Sequence, residues 1–268
     1  MMDSELMSVL PQLAMYACAV LAGLLAGVVN TLAGNGSALT LPMLMALGLP
    51  PDVANGTNRV GVVLSSFTGA MTFRRRGVLD LKYFGWLLVP TVLGGVVGAM
   101  VAVKLEENEM KIAIGAVMVV VLLLVVAKPN KWIKESHVAP SVRKPWALLI
   151  LFLVGAYGGF IQAGVGILLL AGLVLGCGYG VSRANPLKVL IVFTLTVPAL
   201  VIFFRAGQVH LPYGLLMGSG QMTGAWLGAR FATQHPGANV WVRRLLIVVI
   251  LSVIVKLLIL DVFVLSLS

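Results

Sequence analysis

Charged residues are the first thing this chain lacks. Only 10% of its 268 residues are Asp, Glu, Lys or Arg, while 60% are hydrophobic, and the mean hydropathy is +1.04. A soluble domain carries about a quarter charged residues, and so sparse a set cannot coat a water-facing surface. Lipid is the solvent that suits this composition. Acidic residues are scarcer still, nine in all. Asp52, Asp80, Glu106, Glu107, Glu109 and Glu135 fall in connections, and Asp261 falls close to the end of the last apolar run. A proton pump that relays through intramembrane carboxylates is therefore not expected.

Reactive and metal-binding groups are scarce too. His137, His210 and His235 lie in loops or at the ends of apolar runs, which argues against a serine–histidine protease inside the membrane. No H-E-x-x-H or similar ligand cluster occurs, so a zinc enzyme is not expected either. Cys18 and Cys177 stand apart in apolar surroundings and give neither a disulfide framework nor a metal-ligand spacing. Neither a metal nor a cofactor is implied. The start of the chain carries Asp3 and Glu5 but no Lys or Arg, unlike the basic start of a cleavable signal peptide, so the first apolar segment reads as mature protein.

What the chain has in quantity is apolar length. Runs cover about 11–48, 53–73, 82–103, 110–127, 146–178, 184–204, 210–230 and 241–264. A single crossing needs about 20 residues. The runs 11–48 and 146–178 exceed that and are interrupted at Gly34-Asn35-Gly36 and Gly164-Val165-Gly166. Each predicts a helix, a break and a shorter helix, the first pair ended by Pro50-Pro51 and the second by Gly176, Gly178 and Gly180.

The two breaks belong to an internal repeat at an offset of 130 residues. Gly34, Gly36, Gly48, Gly77, Gly94 and Gly98 align with Gly164, Gly166, Gly178, Gly207, Gly224 and Gly228. Ala54-Asn55 aligns with Ala184-Asn185, Phe73 and Arg75 with Phe203 and Arg205, and Leu81 and Tyr83 with Leu211 and Tyr213. Glycine frequency alone predicts about one such glycine match, so the pattern is a duplication. The expected architecture is an all-α polytopic bundle of about 8–10 membrane segments. A first transmembrane repeat covers 1–127, a basic linker 128–145 and a second repeat 146–268.

The net charge of +10 does not point to nucleic acid. The cations cluster between apolar runs, at Arg74, Arg75 and Arg76, at Lys128, Lys131, Lys134, Arg143 and Lys144, and at Arg243 and Arg244. That is the pattern of cytoplasmic loops. All these clusters, with Arg230, fall on one side if each broken segment crosses an even number of times. Each repeat then has an odd number of crossings, the repeats are inverted, loops 74–82, 128–146 and 230–244 are cytoplasmic and both termini lie outside. Inverted repeats with broken helices are the plan of many secondary transporters, whose sites lie near the midplane between the repeats.

Two places qualify as such a site. One is the pair of breaks, with Asn30, Asn35 and Gly36 in the first and Gln162 and Gly164 in the second. There Gly permits close backbone approach and helix N-termini favour anions; close helix packing is the alternative role for each glycine. The other is Asn55, Thr57, Asn58 and Arg59 with its partner Asn185 and Lys188. Helix N-capping is the alternative for Asn55 and Asn185, and snorkelling to the interface is the alternative for Arg59 and Lys188. Cations at one level in both repeats favour an anionic substrate. Gln221 offers an amide in the run 210–230, either to substrate or to a neighbouring helix. Arg75 and Arg205 stand at run ends and read as interface anchors.

The Gly-rich break followed by Leu39-Thr40-Leu41-Pro42-Met43-Leu44, then Ala54-Asn55-Gly56-Thr57-Asn58, Gly77 and Gly94 to Gly98 resembles the first half of the TauE/SafE sulfite exporter family. Gly164, Gly166 and Ala184-Asn185 carry the resemblance through the second half, so it covers nearly the whole chain. It implies a transporter of sulfite, an organosulfonate or a related sulfur anion, with export as the name-giving activity and uptake attributed to some members. The first break, Ala33-Gly34-Asn35-Gly36-Ser37, has fewer glycines than is usual in that family. The second, Gln162-Ala163-Gly164-Val165-Gly166, lacks the small polar residue often found there. An inside-negative potential drives anions outward by about 2.3 kcal/mol per charge per 100 mV, which favours facilitated efflux across the inner membrane. The alternatives are an uptake carrier for an organosulfonate, a cation carrier, an intramembrane enzyme and a non-transporting membrane subunit. The small residues of 94–98 and 224–228 would permit tight helix contacts inside one protomer or in a homodimer.

Overall fold

The computed structural model describes residues 2–126 and 144–234. Most of the basic linker and the whole run 241–264, with Arg243, Arg244, His137, His235, Glu135 and Asp261, lie outside the described residues. The described residues form an all-helical protein. Its helices are α1 (Met2–Ala33), α2 (Ser37–Ala46), α3 (Pro51–Arg75), α4 (Phe84–Ala102), α5 (Glu107–Val126), α6 (Pro145–Phe160), α7 (Val165–Ala171), α8 (Val181–Arg205) and α9 (Leu211–Gln234). A π-turn, Gly172–Gly176, continues α7. Pro51 and Pro145 open α3 and α6 at first-turn positions, where proline loses no helical hydrogen bond.

Gln12–Ala33, Phe84–Ala102 and Val181–Arg205 are long and apolar enough to cross a membrane. The surface is inverted relative to that of a soluble protein. Leu21, Val89 and Ile112 are exposed, while Arg59, Lys188, Asn55, Asn58 and Gln221 are buried. Polar groups inside and apolar groups outside suit a protein solvated by lipid.

The glycine offset has a counterpart in the backbone. The six described glycines with positive φ form three pairs at the repeat offset: Gly34 and Gly164 (78° and 73°), Gly48 and Gly178 (89° and 77°), Gly77 and Gly207 (69° and 73°). Gly48, Gly77, Gly178 and Gly207 follow helix ends, Gly34 follows α1 and Gly164 precedes α7. These turns take Gly because only Gly enters the left-handed region without a Cβ penalty.

Both long runs break as the glycines predict, and at each break the chain reverses. Gly36 packs on the Ala26 carbonyl and on Asn30 of α1, while Leu44 and Leu47, at the other end of α2, share a cluster with Ala19. So α2 doubles back along α1. In the same way Gly158 meets Val165, Gly172 meets Ile150 and Leu151, and Gly176 meets Trp146, so α7 doubles back along α6. A ten-residue helix reaches about 15 Å, half the roughly 30 Å of a hydrocarbon core. Each half-length helix is thus too short to cross a bilayer alone.

Helix packing exchanges partners between the two halves of the chain. Gly220, Gly224 and Gly228 of α9 lie against Val20, Leu24 and Val28 of α1, so those helices run parallel. Gly94 and Gly98 of α4 lie against Phe152 and Ala156 of α6, and those helices also run parallel. The repeat-equivalent helices α3 and α8 run antiparallel: Gly56 faces Phe203, Phe67 stacks near Phe193 with ring centroids 5.5 Å apart, and Gly69 faces Val189. At several of these seams a Cβ would come within about 2 Å of a carbonyl oxygen, for example 1.8 Å at Gly98 and 2.0 Å at Gly224. Backbone therefore packs on backbone, the means by which helices associate where no hydrophobic effect acts between them.

Candidate functional site

The two breaks touch. The Gly166 N–H donates to the Gly34 carbonyl at 3.1 Å. Around this crossing lie the residues singled out from the sequence, and their partners decide which roles they can have.

Arg59, on α3, is fully buried. Its Nη1 donates to the Gly158 carbonyl at 3.2 Å and to Gln162 Oε1 at 3.1 Å. Its Nη2 donates to the Gly159 carbonyl and, at 3.3 Å, to the Phe160 carbonyl. The guanidinium carbon lies 4.3 Å from the Phe203 ring centroid. These carbonyls are the last of α6, which ends at Phe160 with no following turn to satisfy them. Buried carbonyls need donors, and Arg59 supplies a planar fork of them. Its Nε has no partner.

Lys188, on α8, does the same for the other repeat. Its Nζ donates to Asn185 Oδ1 at 2.7 Å, to the Thr31 carbonyl at 3.3 Å and to the Asn30 carbonyl at 3.4 Å. Those carbonyls close α1. Each cation thus reaches across to the broken helix of the other repeat and sits at its C-terminus, where the helix dipole favours positive charge. Neither snorkels to an interface, and among the described residues neither has a carboxylate partner.

The capping alternative for the asparagines is overturned. Pro50 and Gly180 are the N-caps of α3 and α8, and neither helix start has a side-chain cap bond. Asn55 lies inside α3 and its Nδ2 donates to the Phe160 carbonyl at 2.9 Å, with the Met110 sulfur at 3.8 Å. Asn185 holds Lys188. Both asparagines serve the broken helices rather than their own.

Asn58 lies beside the start of α2: its Nδ2 donates to Ser37 Oγ at 2.9 Å, and its Oδ1 accepts from the Thr40 hydroxyl. Gln162 Nε2 donates to Thr196 Oγ1 at 3.2 Å. Gly164 supplies the left-handed turn before α7. Asn35 is buried at the first break, and among the described residues neither atom of its amide has a partner. Asn30 contributes its carbonyl to Lys188. Two residues stand apart from this group: Thr57 Oγ1 accepts from the His210 N–H at 2.8 Å ahead of α9, and the Gln221 side chain covers Gly61 of α3. Ser37, Thr40, Thr196 and Phe203 belong to the network but were not singled out from the sequence. Their only signal there is a hydroxyl or a ring within an apolar run.

Among the described residues no cluster of three His, Cys, Asp or Glu side chains could hold a metal. The arrangement offers charge and directed donors, and no nucleophile paired with a base.

The sequence profile described as sulfite exporter TauE/SafE matches residues 19–257. The chain belongs to the TauE/SafE family. Among its relatives is a probable membrane transporter protein, ORF9, of a Sinorhizobium species, 30% identical over 239 residues that cover 88% of this chain and 90% of that protein. The probable membrane transporter protein YfcA of Escherichia coli K12 is 28% identical over 77% of both chains. YjnA of Bacillus subtilis, named in the same words, is 25% identical over 80% of this chain and 90% of its own. No solved structure matches the chain. As a TauE/SafE protein with helices of spanning length, the chain is a membrane transporter and not an enzyme.

Proposed function

We propose that this transporter carries a small sulfur oxyanion, sulfite or an organosulfonate, out of the cell through a midplane site between two inverted repeats, 1–127 and 146–268. The observation that carries the reading is the pair Arg59 and Lys188. Two buried cations stand at the crossing of the breaks, each held by carbonyl and amide oxygens and, among the described residues, neither by a carboxylate. Among the described residues, dipoles alone compensate them. An intramembrane charge in such a state is costly unless a counter-charge visits, and a small anion supplies one. The antiparallel course of α3 and α8 and the short, reversing α2 and α7 support the inverted arrangement. With the basic clusters on the cytoplasmic side, loops 74–82, 128–146 and 230–244 would be cytoplasmic and both termini would lie outside. The family's description as sulfite exporters supports both the anion and the direction, and the membrane potential favours efflux without coupling.

The test is binding to purified protein followed by flux from proteoliposomes. Sulfite, sulfate and two organosulfonates should raise the melting temperature with concentration, whereas chloride and an amine should not. The response should vanish in the Arg59→Ala/Lys188→Ala double variant while that variant still folds. Protection by the amine and not by the sulfur anions would overturn the reading. Net inward flux that persists against an inside-negative potential would overturn the direction.

A further inference from the structure

The two breaks differ in what they leave unused. At the second, both ends of the Gln162 amide are engaged, Oε1 by Arg59 and Nε2 with Thr196, and the Gly166 N–H is taken by Gly34. At the first, Asn35 is 1% exposed and both of its amide atoms lack a partner. Burying an amide in this way forfeits its hydration with nothing in return, and such a group in a native protein needs a reason. Its repeat counterpart at the offset of 130 is Val165, which packs against Gly158. The free amide therefore exists in one repeat only.

Asn35 stands one residue before Gly36, the N-cap of α2, and that cap makes no side-chain bond. The Ala38 N–H bonds to the Asn35 carbonyl, and the Leu39 and Thr40 N–H groups bond to the Gly36 carbonyl. No described backbone carbonyl takes the N–H of Gly36 or of Ser37. The start of α2 thus combines free donors, the positive end of a helix dipole and a buried amide that nothing among the described residues satisfies. Asn58, bonded to Ser37 and Thr40, fixes this helix start from the side.

We propose that one oxyanion binds per chain, at the start of α2, with the Asn35 amide as a direct ligand, and that Gln162 is a positioning residue that orients Arg59. This rests on the anion-transport reading above. It makes the site asymmetric although the scaffold is duplicated.

The experiment is calorimetric titration of the full-length protein in detergent with sulfite and with ethanesulfonate, together with the melting temperature of each ligand-free variant. The expected stoichiometry is one anion per chain. Asn35→Ala should weaken binding about tenfold or more, since a donor to a charged group is lost, and Asn35→Asp should abolish it by repulsion. The ligand-free Asn35→Ala protein should melt no lower than the wild type, because it removes an unpartnered amide; a residue with a merely structural role would lower it. Two anions per chain, unchanged affinity in Asn35→Ala, or a lowered ligand-free melting temperature in that variant would each overturn the proposal. If Asn35→Asp does not fold, Asn35→Ala decides alone. Binding that depends on Arg59 and Lys188 but not on Asn35 would sink this inference and leave the anion reading intact. A wild type that binds no sulfur anion would sink both.

Discussion

Gly34 and Gly166 meet backbone to backbone. A Cβ added to Gly34 would stand 2.4 Å from the Gly166 Cα, and one added to Gly166 would stand 2.3 Å from the Gly34 Cα. The contact joins the first repeat to the second at the point where each long helix is interrupted, so it sets how closely the breaks and their cations approach.

Three alanine substitutions separate what this contact needs. Gly48 has φ +89° and nothing within 4 Å of an added Cβ, so Gly48→Ala should cost only the left-handed penalty, about 1–2 kcal/mol. Gly166→Ala meets the clash without a positive φ, and overpacking of that kind costs about 1–3 kcal/mol. Gly34→Ala meets both and should be the most damaging, by about 3 kcal/mol or more. Thermal unfolding in detergent ranks them. If Gly34→Ala melts no lower than Gly48→Ala, the breaks do not touch as described.

The breaks were legible in the sequence because they are local events: a run too long for one crossing, interrupted by glycines that recur at a fixed offset. The buried cations were legible for a similar reason, since Arg59 and Lys188 stand out within apolar runs. Their partners were not legible. Arg59 bonds to carbonyls about a hundred residues away, and no side chain marks a carbonyl that has lost its helical donor. For the same reason N-capping, a rule about its own helix, stands as an alternative for Asn55 in the sequence, when its amide serves the end of α6. The exchange of partners, α1 with α9 and α4 with α6, also lay beyond local pattern. Its glycines signal close approach without saying to what.

Those seam glycines give a second prediction. A Cβ on Gly98 would lie 1.8 Å from the Ala156 carbonyl oxygen, whereas one on Gly115, within α5, would meet nothing within 4 Å. Gly98→Ala must push α4 from α6 and should cost about 1–3 kcal/mol or more. Gly115→Ala should be neutral or stabilising by up to about 1 kcal/mol, since alanine is the better helix former. Melting temperatures of the two variants, compared in the same detergent, check this. Equal effects would mean that small size is not what α4 and α6 require.

The last prediction concerns the end of α6. The Phe160 carbonyl accepts from Asn55 Nδ2 at 2.9 Å and from Arg59 Nη2 at 3.3 Å, so the two side chains share one acceptor. Arg59→Lys keeps the charge, but one ammonium cannot serve the carbonyls of Gly158, Gly159 and Phe160 and the Gln162 amide together. Carbonyls left without donors in lipid should lower stability by about 1–3 kcal/mol, and substrate flux should fall because the break loses its fixed geometry. Asn55→Ala removes the other donor. If both act on the same terminus, the double variant should depart from additivity by about 0.5 kcal/mol or more. The check is a double-mutant cycle of unfolding free energies in detergent, with flux measured on the same preparations. Additive effects, or an Arg59→Lys protein as stable and as active as the wild type, would mean that Arg59 acts as a point charge and that the forked contact with α6 contributes nothing to the break.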